Sequence, residues 1–155
     1  MTPCDTAGSL RAQTTQRELL LVMADSMPER FYRDAAADGQ RDFARQIHHA
    51  ANVDLYIVPR YVKGEETMPT MPDTSETLNS RAGLRRFINA AYDYSTRALR
   101  QQTDADRATS TWYFGQNIPK WLVWDELNQH TIWTAGQVVA NFRKLGMAPP
   151  AFMYF

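Results

Sequence analysis

Apolar residues recur at three- and four-residue steps in four long stretches of the chain, the spacing of helices that bury one face. The first stretch runs from about Ser9 to Ser26 and carries Leu10, Leu19, Leu20, Leu21, Val22 and Met23 among good helix formers. Asp25, Ser26 and Pro28 are its stop signals. The second starts near Asp42 and runs to about Val62, with Phe43, Ala44, Ile47, Ala51, Leu55, Val58 and Val62 on the pattern. Pro59 lies inside it and predicts a kink or an earlier end, because proline offers no N–H to the turn before it. The third covers roughly Ser80 to Gln102, with Leu84, Phe87, Ile88, Ala91 and Tyr92 on one stripe. The last has Pro119 at its first turn and runs to about Leu145, with Gly146 just past its end and Pro149 and Pro150 beyond.

The segments between these stretches read as connections. "KGEETMPTMPDTSE" is polar and holds Gly64, Pro69 and Pro72, with Asp73, Thr74 and Ser75 as N-cap candidates. "TDADRATSTWYFGQN" joins the third helix to the fourth. No run alternates well enough to predict a buried strand, and no repeat or low-complexity tract is present. The pattern therefore predicts an all-α, four-helix bundle in a single domain spanning residues 1–155.

Composition narrows the function classes. Lys plus Arg and Asp plus Glu number 17 each, so the formal net charge is zero. A sequence-independent nucleic-acid binder needs a basic excess to neutralise phosphates, so no nucleic-acid partner is expected. Cys4 is the one cysteine, which excludes an internal disulfide, and it has no neighbouring base to activate it as a nucleophile. No secretory leader and no membrane-spanning stretch is legible, which predicts a soluble cytoplasmic protein. Neither a nucleophile elbow nor a phosphate-binding glycine loop occurs.

The chain has three histidines, His48 and His49 in the second stretch and His130 in the last. His130 shares a stripe with Val123, Leu127, Thr134, Val138 and Leu145, which points it inward. Such a residue is either a buried neutral histidine or a ligand. In the second stretch, His48 lies at the edge of the main apolar arc, while His49 lies off its centre with Val53 and Ile57. Periodicity by itself favours His48 as the inward member. Trp112, Tyr113, Phe114, Trp121, Trp124 and Trp133 cluster around the last connection and the last helix. They serve either as packing or as the wall of an apolar ligand pocket at the bundle mouth, with His49 and His130 as its polar groups. The apolar tail "APPAFMYF" predicts docking on the bundle or on a neighbouring subunit.

Motifs along most of the chain resemble the DinB/YfiT-like superfamily of four-helix-bundle metal-dependent proteins. "RQIHHAANVDLY" is similar to its second-helix motif, and "DSMPERFY" and "TDADRATSTWYFGQNIPKW" agree with further pieces. In its last helix the family shows His-x-x-x-His, a residue pair, Gly-Gln or Gly-Asn, an apolar run, Arg, Leu-Gly and Pro-Pro; this chain has "HTIWTAGQVVANFRKLGMAPP". The resemblance implies a divalent metal such as zinc, nickel or iron held by three histidines, and it implies a homodimer. The first two ligand positions match His49 and His130. The third falls on Thr134, whose neutral hydroxyl is a poor ligand beside imidazole. Glu126, four residues before His130, can share its helix face and is the substitute considered; Asp54, five after His49, has poorer spacing.

The resemblance thus implies a degenerate member with an incomplete divalent-metal site. Two alternatives stand beside it. One is a metal-dependent hydrolase or thiol transferase. The other is a metal-free protein that binds a small molecule or acts as an interaction module.

Overall fold

The computed structural model describes residues 5–151, and Cys4 and the tail residues 152–155 lie outside them. Four long helices carry the predicted apolar stripes: α1 (Thr6–Ser26), α2 (Phe43–Ile57), α4 (Arg81–Gln101) and α6 (Lys120–Lys144). Between them lie two short helices, α3 (Thr74–Asn79) and α5 (Asp104–Ala108), and a hairpin of β1 (Ser110–Tyr113) and β2 (Gln116–Pro119). α1 packs on α4 and α6, and α2 packs on the same two, so α1 and α2 sit on one diagonal of the bundle. The fold is the expected all-α bundle, and no helix among the described residues is long and apolar enough to cross a membrane.

Local chemistry explains the helix ends. Asp42 caps α2 by accepting from the Arg45 N–H at 2.8 Å. The next amides are also taken, since Phe43 N–H donates to the Asp34 carbonyl and Ala44 N–H to that of Tyr32. Tyr32 is itself locked by donation from its hydroxyl to the Ala24 carbonyl. At its other end α2 stops at Ile57, earlier than the apolar pattern runs. Pro59 follows within a wide π-turn (Val58–Lys63), which Gly64 closes with φ of 75°. The apolar stripe continues through this turn, so Val58 and Val62 remain buried.

α6 begins where the hairpin ends. Pro119 stands one residue before the helix, as its cap position, and Lys120 N–H donates to the Thr109 carbonyl across the base of the hairpin. Phe114 and Gly115 both have positive φ, 43° and 89°, as a two-residue type I′ turn requires. This short ribbon replaces part of the predicted irregular connection. Its residues are exposed or half-buried, so it leaves no period-two signal of a buried face. At the other end, Met147 N–H donates to Phe142 and Gly146 N–H to Arg143, the paired bonds of a Schellman motif with Gly146 left-handed.

The core contains Leu20, Phe43, Ile47, Leu55, Leu84, Phe87, Ile88 and Phe142, each removed from solvent. A second apolar cluster joins Val58, Val62, Leu99, Val123, Trp124 and Leu127 near the hairpin. A polar chain crosses the interior as well. Gln13 of α1 donates to Ser95 of α4 at 2.7 Å, and Ser95 donates to Asp54 of α2 at 2.5 Å.

Candidate functional site

His49 and His130 meet across the interface of α2 and α6. Their rings pack edge to face, with centroids 5.1 Å apart and planes 76° apart. Asp42 fixes the start of α2 two turns before His49. On α6, Asn141 donates to the Asp34 carbonyl at 2.9 Å and Lys144 to the Ala35 carbonyl at 2.7 Å. These bonds tie the far half of α6 to the segment leading into α2. The register of the two rings is thus set from both helices.

His48 goes elsewhere. Its ring stacks on Phe87 of α4, with centroids 4.1 Å apart. Periodicity placed His48 nearer the centre of the apolar arc, and it is indeed partly buried, but on the α4 side rather than facing α6. The off-centre stripe of His49 is the one that α6 covers. A bundle helix packs against two neighbours, so two stripes are inward, and a single arc cannot say which neighbour carries chemistry.

Burial holds all three imidazoles below their ordinary pKa. The His49 pKa falls to about 4: loss of solvent is the largest cause, followed by the positive charge of Arg41 and then the neighbouring histidines. His130 is lowered by burial first and by Arg41 second. Both rings are therefore neutral at pH 7, the form in which imidazole binds a metal or works as a hydrogen-bond donor and acceptor.

Thr134 stands where the family resemblance implies a third imidazole. Thr134 is buried, at 2% exposure, and its Oγ1 lies 3.4 Å from His130 Nε2. Glu126 is exposed. Asp54 is buried at the polar chain and engaged with Ser95. Among the described residues no three His, Cys, Asp or Glu side chains come together as a metal-holding group. A metal-bound histidine also normally donates its second N–H to an acceptor that orients the ring. His130 Nδ1 is buried without a hydrogen-bond partner among the described residues. The side chains present therefore do not fit a resident three-imidazole metal.

The aromatic cluster divides. Trp124 is core, with its indole N–H donating to Gln102. Tyr113 packs on Tyr61 at 4.9 Å. Trp112, Phe114 and Trp133 are exposed, at 68%, 63% and 75%. They do not line an apolar pocket around the histidines. The cavity on this side of the bundle is instead polar. It measures about 410 Å³ and is lined by Gly39, Gln40, Arg41, Gln46, Gln137 and Asn141. Gln46 precedes His49 by one turn and Gln137 follows Thr134 by one turn, and the two carboxamides bond at 3.0 Å. Glutamine and asparagine carry no signature in a sequence, so the lining of this cavity was not legible there.

Comparison with known proteins agrees with the architecture. A solved structure described as a DinB-like protein from Bacillus cereus ATCC 10987 superposes with a TM-score of 0.76 at 18% identity, covering 95% of this chain and 97% of its own. At that identity the likeness speaks for the fold alone. No curated protein matches the chain. The sequence profile of the DinB superfamily matches residues 12–141, most of the chain, including all of α2 and α6 as far as Asn141. The chain belongs to the DinB superfamily.

Proposed function

We propose that this protein is a degenerate member of its superfamily, with an incomplete divalent-metal site that serves as a small-molecule binding cleft. The observation that carries the reading is the hydroxyl of Thr134 beside His130 Nε2, at 3.4 Å, in the position where the family resemblance calls for a third imidazole. Two neutral imidazoles leave a divalent ion short of ligands, and a protonated hydroxyl adds neither charge nor a strong donor. What remains is a pair of neutral rings at the α2/α6 interface with a polar cavity one turn away. Neutral imidazoles and carboxamides are donors and acceptors together, which suits a polar ligand of modest size.

Metal content tests this reading. Protein purified without a histidine tag should hold well under one equivalent of transition metal. The convergence of His49 and His130 favours a second reading, a metal-dependent hydrolase or thiol transferase. Stoichiometric zinc, nickel or iron that survives dialysis against a mild chelator would select that reading and overturn the first.

A further inference from the structure

The cavity bounded by Arg41, Gln46, Gln137 and Asn141 has a charge character that the histidine pair does not explain. No acidic side chain lines it. The carboxylate next in sequence, Asp42, is already committed: it accepts from Arg33 Nε at 2.9 Å, lies 3.6 Å from Arg45 and caps the first turn of α2. Arg41 itself makes no hydrogen bond or ion pair with any described residue. The opening amides of α2 are consumed by the Asp34 and Tyr32 carbonyls, so the helix end offers nothing further. The guanidinium is thus the one uncompensated charge on the cavity wall.

The neighbouring carboxamides add neutral donors. Gln46 donates to Gln137 Oε1, which leaves the Gln137 N–H₂ group without a partner among the described residues. Asn141 uses one of its two N–H bonds on the Asp34 carbonyl. A planar guanidinium beside amide N–H groups matches the oxygens of a carboxylate or a phosphate, and such charge-assisted bonds are the strong ones.

We propose that this cavity is the subsite for the carboxylate or phosphate group of a small ligand, with Arg41 as the ionic contact and Gln137 as a neutral donor. The proposal rests on the small-ligand reading above and names the charged end of that ligand. The same placement sets the remainder of the molecule toward His49 and His130, because Gln46 and Gln137 lie one turn from His49 and Thr134.

The test uses the full chain labelled with nitrogen-15 at low ionic strength. Inorganic phosphate, benzoate and succinate are titrated separately. At least one class should give saturable shifts in the backbone amides of residues 39–41 and in the side-chain amide signals of Gln46 and Gln137, and the class that does so identifies the group. Added salt should weaken the binding. Arg41→Gln should weaken it by about tenfold or more, while Arg143→Gln, an exposed arginine in the last turn of α6, should not. Arg41 is exposed, and a thermal melt will show that the variant folds. Absence of saturable shifts with all three probes, or equal binding by Arg41→Gln, would overturn the proposal. Metal content measured on the same sample keeps the two readings apart. A failed anion titration with little metal removes only the subsite, while stoichiometric metal overturns the degenerate-site reading and leaves the subsite standing only if the saturable shifts and their loss in Arg41→Gln are also seen.

Discussion

His130 Nε2 faces the hydroxyl of Thr134 at 3.4 Å, one helical turn along α6. That contact puts a weak hydrogen bond where the family resemblance implies a third imidazole. His49 and His130 themselves come together, with ring centroids 5.1 Å apart. On the proposed reading, one side chain separates this site from a ligand set of three imidazoles with an open position for water.

Thr134→His should restore metal binding. Thr134 is buried, so the larger ring is expected to cost the metal-free variant about 1–3 kcal/mol of stability through overpacking. Added zinc or nickel should then raise its melting temperature by mass action, with no comparable rise in the parent. A further His49→Ala change should abolish the metal-dependent rise. A variant that melts alike with and without metal would mean that the α2/α6 interface has moved beyond what one side chain can repair.

The imidazole of His49 should stay neutral far into the acid range. Its native pKa is about 4 against an ordinary 6.5, lowered by burial, by Arg41 and by the two neighbouring histidines. An unfolded chain takes up a proton that the native ring refuses, so this group favours the fold above pH 6.5 and loses that contribution as pH falls toward 4. Carbon-bound ring proton signals followed by NMR from pH 8 to pH 4 should show His49 titrating below every solvated histidine. A midpoint near 6.5 would place the ring in solvent and away from Arg41.

Asp54 works in the opposite direction. Burial raises its carboxyl to about 6 from 3.8, although the bond from Ser95 pulls it down. Between those values the native state holds the extra proton, so stability falls as pH rises through the window and the full cost is present above it. A shift of about two units corresponds to about 3 kcal/mol. Asp54→Asn lacks this dependence. Its stability relative to the parent should therefore rise from pH 4 to pH 7 by up to about 3 kcal/mol in urea unfolding. An offset that does not change with pH would show that the carboxyl is solvated in the native state.

Gly83→Ala should be among the most damaging small substitutions. A methyl group there would lie 2.3 Å from the Glu76 backbone oxygen and 2.9 Å from the Ser80 hydroxyl that caps α4. The expected loss is about 3 kcal/mol or more, near the top of the overpacking range, because backbone must move. Gly136→Ala has open space around it in the middle of α6 and serves as the control, with a gain of up to about 1 kcal/mol from helix propensity.

Much of the architecture was legible because it rests on local rules. The stripes of α2 and α4 sit where the apolar spacing puts them, and Gly146 ends α6 as its left-handed backbone requires. Pro59 announced the end of α2, though not that the chain would continue as a buried π-turn. The hairpin escaped notice because its strands are four residues long and neither face is buried. At the site, His130 was read as inward from its stripe. The meeting of His49 with His130 came from family likeness, since it depends on which neighbour α2 packs against, and that is a matter of topology. Arg41 and the carboxamides around the cavity are brought together from positions nearly a hundred residues apart, with no pattern in the chain to announce them.

The diagonal arrangement of α1 and α2 has its own consequence. The chain leaving α1 must cross the end of the bundle to reach α2, and Gly39, Gln40 and Arg41 at the end of that crossing supply half of the residues that line the polar cavity. The bundle holds the two imidazoles and, through Gln46, Gln137 and Asn141, half of the chamber beside them, while the surface crossover supplies the other half. Length changes between residues 36 and 40 would alter the crossover's share of the cavity, since loops absorb them far better than packed helices do, whereas Asp34 and Ala35, whose carbonyls hold Asn141 and Lys144, belong to the four-helix frame. The loop's half of the cavity is thus variable apart from the scaffold, while the half built on α2 and α6 is not.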